Sequence, residues 1–214
     1  MMKQLEQIRN NLGYSSQITD LVIKKLLNLK AINKSDLNIT NEEFYDWLIG
    51  FTDGEGSFTA SLRNSSNNNN KDITRLTFSY GLYLHIDDIE VLKFIKNKLN
   101  LENIIYEITS DDESERCQLM ISNSKILKET IIPIFKNKLN TKKYHDFNIW
   151  CVMMELYNNK NIKFKDKLDD LILLRSKINN LNYKHNDDLL DIKLNMNWYI
   201  GFMEGEGSYS LKYK

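Results

Sequence analysis

The spacing of the apolar residues changes from helical to extended near residue 56. Upstream, apolar side chains recur every three or four positions, and Thr40 followed by Glu43 forms a capping box that predicts a helix starting at about Asn41. Downstream, apolar and polar residues alternate over 57–63 and again over 75–82, on either side of a polar loop. Two such segments predict an antiparallel hairpin with one apolar face and one polar face.

The remaining patterns predict further helices and one more pair of strands. The helices are expected at roughly 86–99, 124–136, 142–157 and 164–181, and the strands at roughly 103–109 and 116–122. In the first of these helices, Phe94 is expected in the core together with Leu92 and Ile95. Helices combined with antiparallel strands indicate an α+β chain.

One of the helices is present in two copies. Residues 44–58 read FYDWLIGFTDGEGSF, and residues 195–209 read NMNWYIGFMEGEGSY. With a shift of about 151 positions, eight residues of the first copy recur in the second: Trp47, Ile49, Gly50, Phe51, Gly54, Glu55, Gly56 and Ser57. Composition does not produce a match of this length, so the two copies indicate a duplicated structural element.

Each copy carries two glycines that lie one helical turn apart. They are Gly50 and Gly54 in the first copy, and Gly201 and Gly205 in the second. Glycine inside a helix costs about 1 kcal/mol relative to alanine, and close approach of another backbone is the best reason for it. We therefore expect the two helices to pack against each other at these glycines. The glycines that follow, Gly56 and Gly207, are expected to end the helices in the left-handed conformation.

Packing at the glycines would bring Glu55 and Glu206 together where the helices end. Two carboxylates at the negative ends of two helix dipoles repel each other and favour a cation between them. Oxygen ligands of low charge suit Mg²⁺, which keeps several waters and accepts substrate phosphates into its shell. The pair therefore predicts a magnesium site for phosphoryl chemistry.

The duplicated segments resemble the two signature helices of LAGLIDADG homing endonucleases. The matching letters are LIGFTDGEG at 48–56 and YIGFMEGEG at 199–207, and residues 76–99 and 131–147 resemble the rest of one family repeat. The resemblance implies an αββαββα fold for each domain of the chain. The implied organisation is a helical extension at 1–40, a first domain at 41–181, a linker at 182–195 and the start of a second domain at 196–214.

The resemblance also implies roles for individual residues. Glu55 and Glu206 would bind the catalytic divalent metals, and the backbone carbonyls of Gly54 and Gly205 would complete the metal shell. The segment LNTKKYHDF would place Lys142 and Lys143 where the family carries a basic residue near the scissile phosphate, and Lys142 is the one expected to stabilise the transition state or orient the attacking water. The alternative for this lysine is an ordinary solvated position.

The polar face of the predicted hairpin suits DNA, because an antiparallel ribbon fits the major groove. The resemblance implies that this face reads the bases, and the alternative is an ordinary solvated sheet face. The residues concerned are Ser57, Thr59, Ser61, Arg63, Arg75, Thr77 and Ser79.

Overall charge does not indicate a generally basic DNA-binding surface. The 29 Lys and Arg residues balance the 29 Asp and Glu residues. In addition, the segment TSDDESE contains Asp111, Asp112, Glu113 and Glu115, which would weaken contact with phosphates if it faced them. DNA affinity would therefore have to come from local patterning.

Composition also bears on where the protein is made. A single proline among many asparagines, lysines and isoleucines indicates coding DNA rich in A and T, which is typical of an organelle genome and predicts a mitochondrial protein. No run approaches the roughly 18 apolar residues that a membrane span requires.

The leading interpretation is an intron-encoded, site-specific endonuclease that cleaves double-stranded DNA with metal-activated water. The sequence continues for only eight residues beyond Glu206, so we expect the isolated chain to need a dimer partner or a second polypeptide that completes the second half. The alternatives are an RNA maturase that assists splicing of its group I intron, and an inactive remnant.

Overall fold

Helices and strands alternate along the part of the chain that the computed structural model describes. This part comprises residues 40–64, 73–101, 107–111, 116–180 and 194–207. The predicted extension before residue 40, most of the predicted linker and the residues after 207 lie outside these ranges. The described residues from Asn41 onward belong to one structural unit.

The first half of this unit contains two helices and four strands. Helix α1 begins at Asn41, which confirms the predicted start, and it runs directly into the first strand. The elements in order are α1 (Asn41–Glu55), β1 (Gly56–Asn64), β2 (Ile73–His85), a 3-10 turn (Ile86–Asp88), α2 (Ile89–Lys98), β3 (Glu107–Asp111) and β4 (Arg116–Ile121).

The second half of the unit is helical. The elements in order are α3 (Ser124–Ile126), a π-helical turn (Leu127–Ile131), α4 (Ile132–Phe135), α5 (Lys143–Asn158), a 3-10 turn (Lys165–Lys167), α6 (Leu168–Arg175) and α7 (Met196–Glu206). Helices α1 and α7 are the two copies of the duplicated segment.

The four strands form one antiparallel sheet in the order β1-β2-β4-β3. Phe58 of β1 lies opposite Tyr80 of β2, and Leu82 of β2 lies opposite Leu119 of β4. These four side chains are buried, since alternate residues along each strand point to the same face. The sheet therefore has one apolar face and one polar face, and this architecture confirms the predicted α+β fold class.

An aromatic cluster joins the apolar face of the sheet to the helices. The ring of Phe58 lies 4.9 Å from that of Phe147, and 5.5 Å from those of Phe135 and Trp150, measured between centroids. The Trp150 indole N–H also donates to the carbonyl oxygen of Thr59 at 2.9 Å. Helices α4 and α5 are therefore fixed against β1, and they form the main core.

The helix predicted at 124–136 is interrupted by a π-helical turn at Leu127–Ile131. Pro133 follows this turn, and proline has no backbone N–H to donate to the carbonyl four residues earlier. The N–H of Ile132 instead reaches the carbonyl oxygen of Leu127, which widens the helix just before the proline. The prediction of one regular helix was therefore wrong at this point.

Three other predictions need correction. The helix expected to reach residue 181 ends at Arg175, and Asn179 beyond it has a positive φ of 55°. Strand β3 continues to Asp111, which pairs with Arg116, so this residue is part of the sheet and not of a loop. Phe94 is 37% exposed, since it packs beside the Phe44 ring at the edge of the core.

Among the described helices, none has the length and apolar character needed to cross a membrane.

Candidate active site

Helices α1 and α7 pack against each other through their glycines. A Cβ atom added to Gly50 would overlap the carbonyl oxygen of Trp198, and one added to Gly201 would overlap the carbonyl oxygen of Trp47. One turn later, a Cβ on Gly54 would lie 3.1 Å from the Cα of Gly205. The contacts are reciprocal, so the two copies are related by a local two-fold axis. Their backbones touch without intervening side chains.

The predicted left-handed caps at the ends of these helices were wrong. Gly207 has φ −69° and ψ 125°, which is extended backbone, and Gly56 is the first residue of β1. Crowding accounts for the glycines instead. A Cβ on Gly56 would lie 2.8 Å from the carbonyl oxygen of Thr52, and one on Gly207 would overlap the carbonyl oxygen of Met203.

The two acidic residues Glu55 and Glu206 end α1 and α7 on the same side of the helix pair. Burial raises the pKa of Glu55, and the negative charge of Glu206 raises it further, while Lys143 acts in the opposite direction. A Cβ on Gly54 would lie 3.2 Å from the Cγ of Glu206, and one on Gly205 would lie 3.3 Å from the backbone nitrogen of Glu55, so the two acidic residues are neighbours. Glu206 itself is exposed, so solvent reaches the pair.

The donor chemistry of this pair fits a hard divalent cation. Ionised carboxylates offer only acceptor oxygens, and a cation between them would remove the repulsion that adds to the effect of burial on the pKa of Glu55. In the described ranges, no group of three or more His, Cys, Asp or Glu side chains could hold a metal. Two protein carboxylates with water and substrate oxygens around them match the preference of Mg²⁺.

Lys143, and not the predicted Lys142, contacts the end of α1. The Lys143 ammonium donates to the carbonyl oxygen of Thr52 at 3.0 Å, and also to the carbonyl oxygen of Gly54. The side chain of Lys142 is exposed at the start of α5. The carbonyl of Gly54, which was expected to complete a metal shell, therefore accepts a hydrogen bond from Lys143.

Burial lowers the pKa of Lys143, and the negative charges of Asp53, Glu206 and Glu55 oppose this effect. Burial is the larger effect, so the pKa of Lys143 lies below its ordinary value, and its ammonium is held among these carboxylates. A signal for this residue is present in the sequence. Lys143 has helical spacing with Phe147, Trp150 and Met154, which are all buried, whereas Lys142 does not.

Asp53 has a role in the site that sequence reasoning missed. Its side chain is 4% exposed, and its oxygens accept hydrogen bonds from the backbone of Asn140 at 2.8 Å and of Thr141 at 3.2 Å. The Thr141 hydroxyl donates to it at 2.6 Å, and the indole N–H of Trp198 donates at 2.9 Å. Burial raises the pKa of Asp53, and these hydrogen bonds counteract the rise.

The bond from Trp198 to Asp53 has a counterpart across the local two-fold axis. The indole N–H of Trp47 donates to Glu204 at 2.9 Å, and Glu204 is the residue of α7 that corresponds to Asp53. Each tryptophan thus reaches the acidic residue that lies two positions before the final glutamate of the other helix. The repeated Trp and acidic positions were visible in the sequence, but their pairing across the two copies was not.

The seven residues predicted to read DNA lie on one face of β1 and β2. Thr59 lies opposite Ser79, with their hydroxyl oxygens 2.6 Å apart, and Ser61 lies opposite Thr77. Ser57 lies opposite Gly81, next to Glu55 in sequence. At the far end of the hairpin Arg63 lies opposite Arg75, and both arginines are exposed. The polar face therefore starts beside the carboxylate pair and ends in two positive charges.

The same face continues across the sheet into β4. Tyr83 lies opposite Gln118, and the next residue on this face of β4 is Arg116. Tyr83 is 41% exposed and Arg116 is exposed as well, so both are available at the surface. Sequence reasoning predicted β4 but did not assign its polar residues. Of the acidic residues noted in the TSDDESE segment, Asp111 lies opposite Arg116 in the register of β3 and β4, and the other three lie outside the described ranges.

Comparisons with known proteins agree with this arrangement. A family model described as LAGLIDADG endonuclease matches residues 48–154, half of the chain. Among curated proteins, the uncharacterized mitochondrial protein RF1 of Saccharomyces cerevisiae is 35% identical over 201 residues, which cover 92% of this chain and 38% of that protein. The probable intron-encoded endonuclease Cox1-I1b of Schizosaccharomyces pombe is 30% identical over 172 residues, which cover 80% of this chain and 42% of that protein.

The chain thus spans about two fifths of the length of these two relatives. Among solved structures, the I-LtrWI LAGLIDADG homing endonuclease bound to target DNA matches with a TM-score of 0.63 and 24% sequence identity. The match covers 78% of this chain and 58% of that chain, and it supports the fold.

Proposed function

Because the chain belongs to the LAGLIDADG endonuclease family, we propose that it forms part of a homing endonuclease that hydrolyses phosphodiester bonds in double-stranded DNA. The observation that carries this proposal is the pair Glu55 and Glu206, which meet at the ends of two glycine-packed helices beside a polar sheet face. A mitochondrial location and an intron origin are supported by what the two yeast relatives are named.

In the proposed mechanism, Glu55 and Glu206 hold divalent cations, with Mg²⁺ the best match to their chemistry. When bound, Mg²⁺ would supply the Lewis acidity that activates a water and stabilises the leaving 3′ oxygen. Lys143 fixes the end of α1 through the carbonyls of Thr52 and Gly54, and its ammonium offers positive charge to the scissile phosphate. The carbonyl of Gly205 remains a candidate ligand in this proposal.

Recognition of DNA is assigned to the polar face of the sheet. A twisted antiparallel ribbon enters the major groove, where hydroxyl and guanidinium groups reach base edges. Arg63 and Arg75 would provide the bidentate contacts, and the hydroxyls of Thr59 and Ser61 would lie nearer the carboxylate pair. Since the chain has no net charge, affinity would come from this face and not from a general attraction to phosphate.

A second half, in the same polypeptide or in a partner chain, is supported by the surface of α7. Tyr199 and Ile200 are 53% and 42% exposed, whereas the corresponding residues of α1, Leu48 and Ile49, are 0% and 3% exposed. The sheet and helices bury the apolar face of α1, and a comparable layer would bury that of α7. Such a layer would add a second DNA-reading face across the local two-fold axis.

Cation binding tests the proposed site without requiring cleavage. Mn²⁺ added to the purified chain and followed by electron paramagnetic resonance should bind at a site that the double variant Glu55→Gln, Glu206→Gln lacks. Glu204→Gln is the matched control, because Glu204 is an exposed carboxylate two positions away on the same helix. Equal Mn²⁺ binding by the double variant would contradict the assignment.

Cleavage is then measured with Mg²⁺ and duplex DNA carrying the uninterrupted form of the host gene, in a preparation that includes the proposed second half. The double variant should bind this duplex but leave both strands intact, while Glu204→Gln should cut. If the double variant cut at the wild-type rate, the glutamates would not be the catalytic pair. If it failed to cut but still promoted splicing of the host intron, the RNA maturase role would apply.

A further inference from the structure

A chain of hydrogen bonds connects α7 to Lys143 through Asp53. Trp198 of α7 donates to one carboxylate oxygen of Asp53, and the Thr141 hydroxyl donates to the other. The same hydroxyl accepts from the backbone N–H of Lys143 at 3.3 Å. We propose that Asp53 is a positioning residue that couples the docking of α7 to the placement of Lys143 beside Glu55, and this role rests on the function proposed above.

These hydrogen bonds form a closed ring around the end of α1. The Asp53 side chain holds the loop that leads into α5, and the Lys143 side chain returns to the backbone of Thr52 and Gly54, the two neighbours of Asp53. Neither the loop nor the end of α1 can shift without breaking part of this ring. Lys143 is therefore set in position by contacts on both sides of a single carboxylate.

Burial makes the Trp198 bond important to this ring. A buried carboxylate is costly unless its oxygens are paired, because it has lost the hydration that it had in the unfolded chain. Asp53 is 4% exposed, and its second oxygen is shared by Trp198 and the backbone of Asn140. Without the indole donor, this oxygen would accept a hydrogen bond from the Asn140 backbone alone. The loop before α5, and Lys143 with it, would then move to supply a second donor or to let water reach the oxygen.

The reciprocal pair provides a control within the same molecule. Trp47 donates to Glu204 at the same distance as Trp198 to Asp53, and each tryptophan stacks on the phenylalanine one turn later, Phe51 or Phe202. Glu204 is exposed, however, and the loop before α5 bonds to Asp53. Removing either indole N–H therefore makes a similar change to the helix pair. In this proposal, however, the loss at Trp198 changes the position of Lys143 through Asp53, and the loss at Trp47 does not.

Chemical labelling measures the position of Lys143 directly. The purified 214-residue chain is treated with a limiting amount of an amine-acylating reagent, and labelling of Lys143 is quantified by fragment-ion mass spectrometry against Lys142. Lys142 is exposed and adjacent, so it corrects for reagent and sample differences. In the wild type, Lys143 should react much more slowly than Lys142, because its nitrogen is partly buried and bonded to two carbonyls, and this protection outweighs the larger neutral fraction that its lowered pKa gives.

The variants are Trp198→Phe, Asp53→Asn and the control Trp47→Phe, each checked for folding by circular dichroism. The ratio of Lys143 to Lys142 labelling should rise about fivefold or more in Trp198→Phe and Asp53→Asn, a factor typical of losing one hydrogen bond. It should stay at the wild-type value in Trp47→Phe. If Asp53→Asn does not fold, Trp198→Phe decides alone.

Two results would overturn the proposal. One is an equal labelling ratio in Trp198→Phe and Trp47→Phe, and the other is Lys143 labelling as fast as Lys142 in the wild type. The labelling measurements use neither DNA nor a metal, so they test the role of Asp53 even if the proposed nuclease function is wrong. In cleaving preparations, Trp198→Phe should lower the single-turnover rate at unchanged DNA affinity, and weaker DNA binding with an unchanged rate would also overturn the role of Asp53.

Discussion

At the scale of single residues, Glu55 shows how the site works against the stability of the fold. Burial and then Glu206 raise the pKa of its carboxyl group above the ordinary value of 4.5. The folded chain therefore holds this proton more tightly than the unfolded chain. Well below pH 4.5 the Glu55 carboxyl group is protonated in both the folded and the unfolded chain. As the pH rises, this carboxyl group ionises first in the unfolded chain. Glu55 therefore lowers the free energy of unfolding at neutral pH but not in acid.

We expect Glu55→Gln to raise the melting temperature at about pH 7 without divalent cations, and to leave it nearly unchanged at about pH 4. Because Glu55 is only partly buried and solvent screens its charge, the increase should be small, at most about 2–4 °C, the change that one kcal/mol produces at this chain length. Differential scanning calorimetry at the two pH values provides the measurement. An equal increase at both would indicate a packing effect and contradict the electrostatic origin.

Lys143 shows what residue patterns can and cannot predict about the site. A basic residue near the carboxylates was expected, and the helical spacing with Phe147 and Trp150 would have selected Lys143 over Lys142. A buried ammonium also needs acceptors, however, and these belong to residues 91 and 89 positions away in the chain. The same is true of Asp53, whose donors Asn140 and Trp198 are 87 and 145 positions away. Local patterns do not contain such contacts.

At the scale of elements, the glycines of α1 and α7 determine whether the helix pair can form. In an open helix, Gly→Ala stabilises by about 1 kcal/mol. At Gly50 the new Cβ would overlap the carbonyl oxygen of Trp198 and lie 2.9 Å from its Cα. We therefore expect the opposite sign for Gly50→Ala, a destabilisation of about 1–3 kcal/mol from overpacking.

Urea unfolding measures whether Gly50→Ala lowers or raises the free energy of unfolding. Gly201→Ala is the matched variant, because its Cβ would overlap the carbonyl oxygen of Trp47 in the same way. Both variants should lose stability by similar amounts, and stabilisation by either would contradict the backbone contact.

This packing was predictable from the sequence, because two glycines one turn apart weaken a helix unless another backbone lies against them. The sequence did not predict that α1 runs into β1 without a turn, which removes any need for a left-handed residue at Gly56.

At the scale of the whole molecule, the duplicated helices lie in different surroundings. The fold class was predictable, since the change of spacing from helix to strand is a local signal. The strand order and the layer that covers each helix depend on contacts between distant segments. Ile49 and Ile200 occupy equivalent positions in the two copies, but their exposed fractions are 3% and 42%.

This asymmetry gives a prediction about which surface is still open. Ile49→Ala should cost about 2–5 kcal/mol, because it leaves a cavity in a packed core, whereas Ile200→Ala should stay within about 0.5 kcal/mol, as expected for a surface position. Urea unfolding of both variants provides the comparison. If Ile200→Ala cost as much as Ile49→Ala, the face of α7 would already be covered in solution. A melting temperature that rises with protein concentration would then identify the cover as a second copy of the chain, because association stabilises the folded state by mass action.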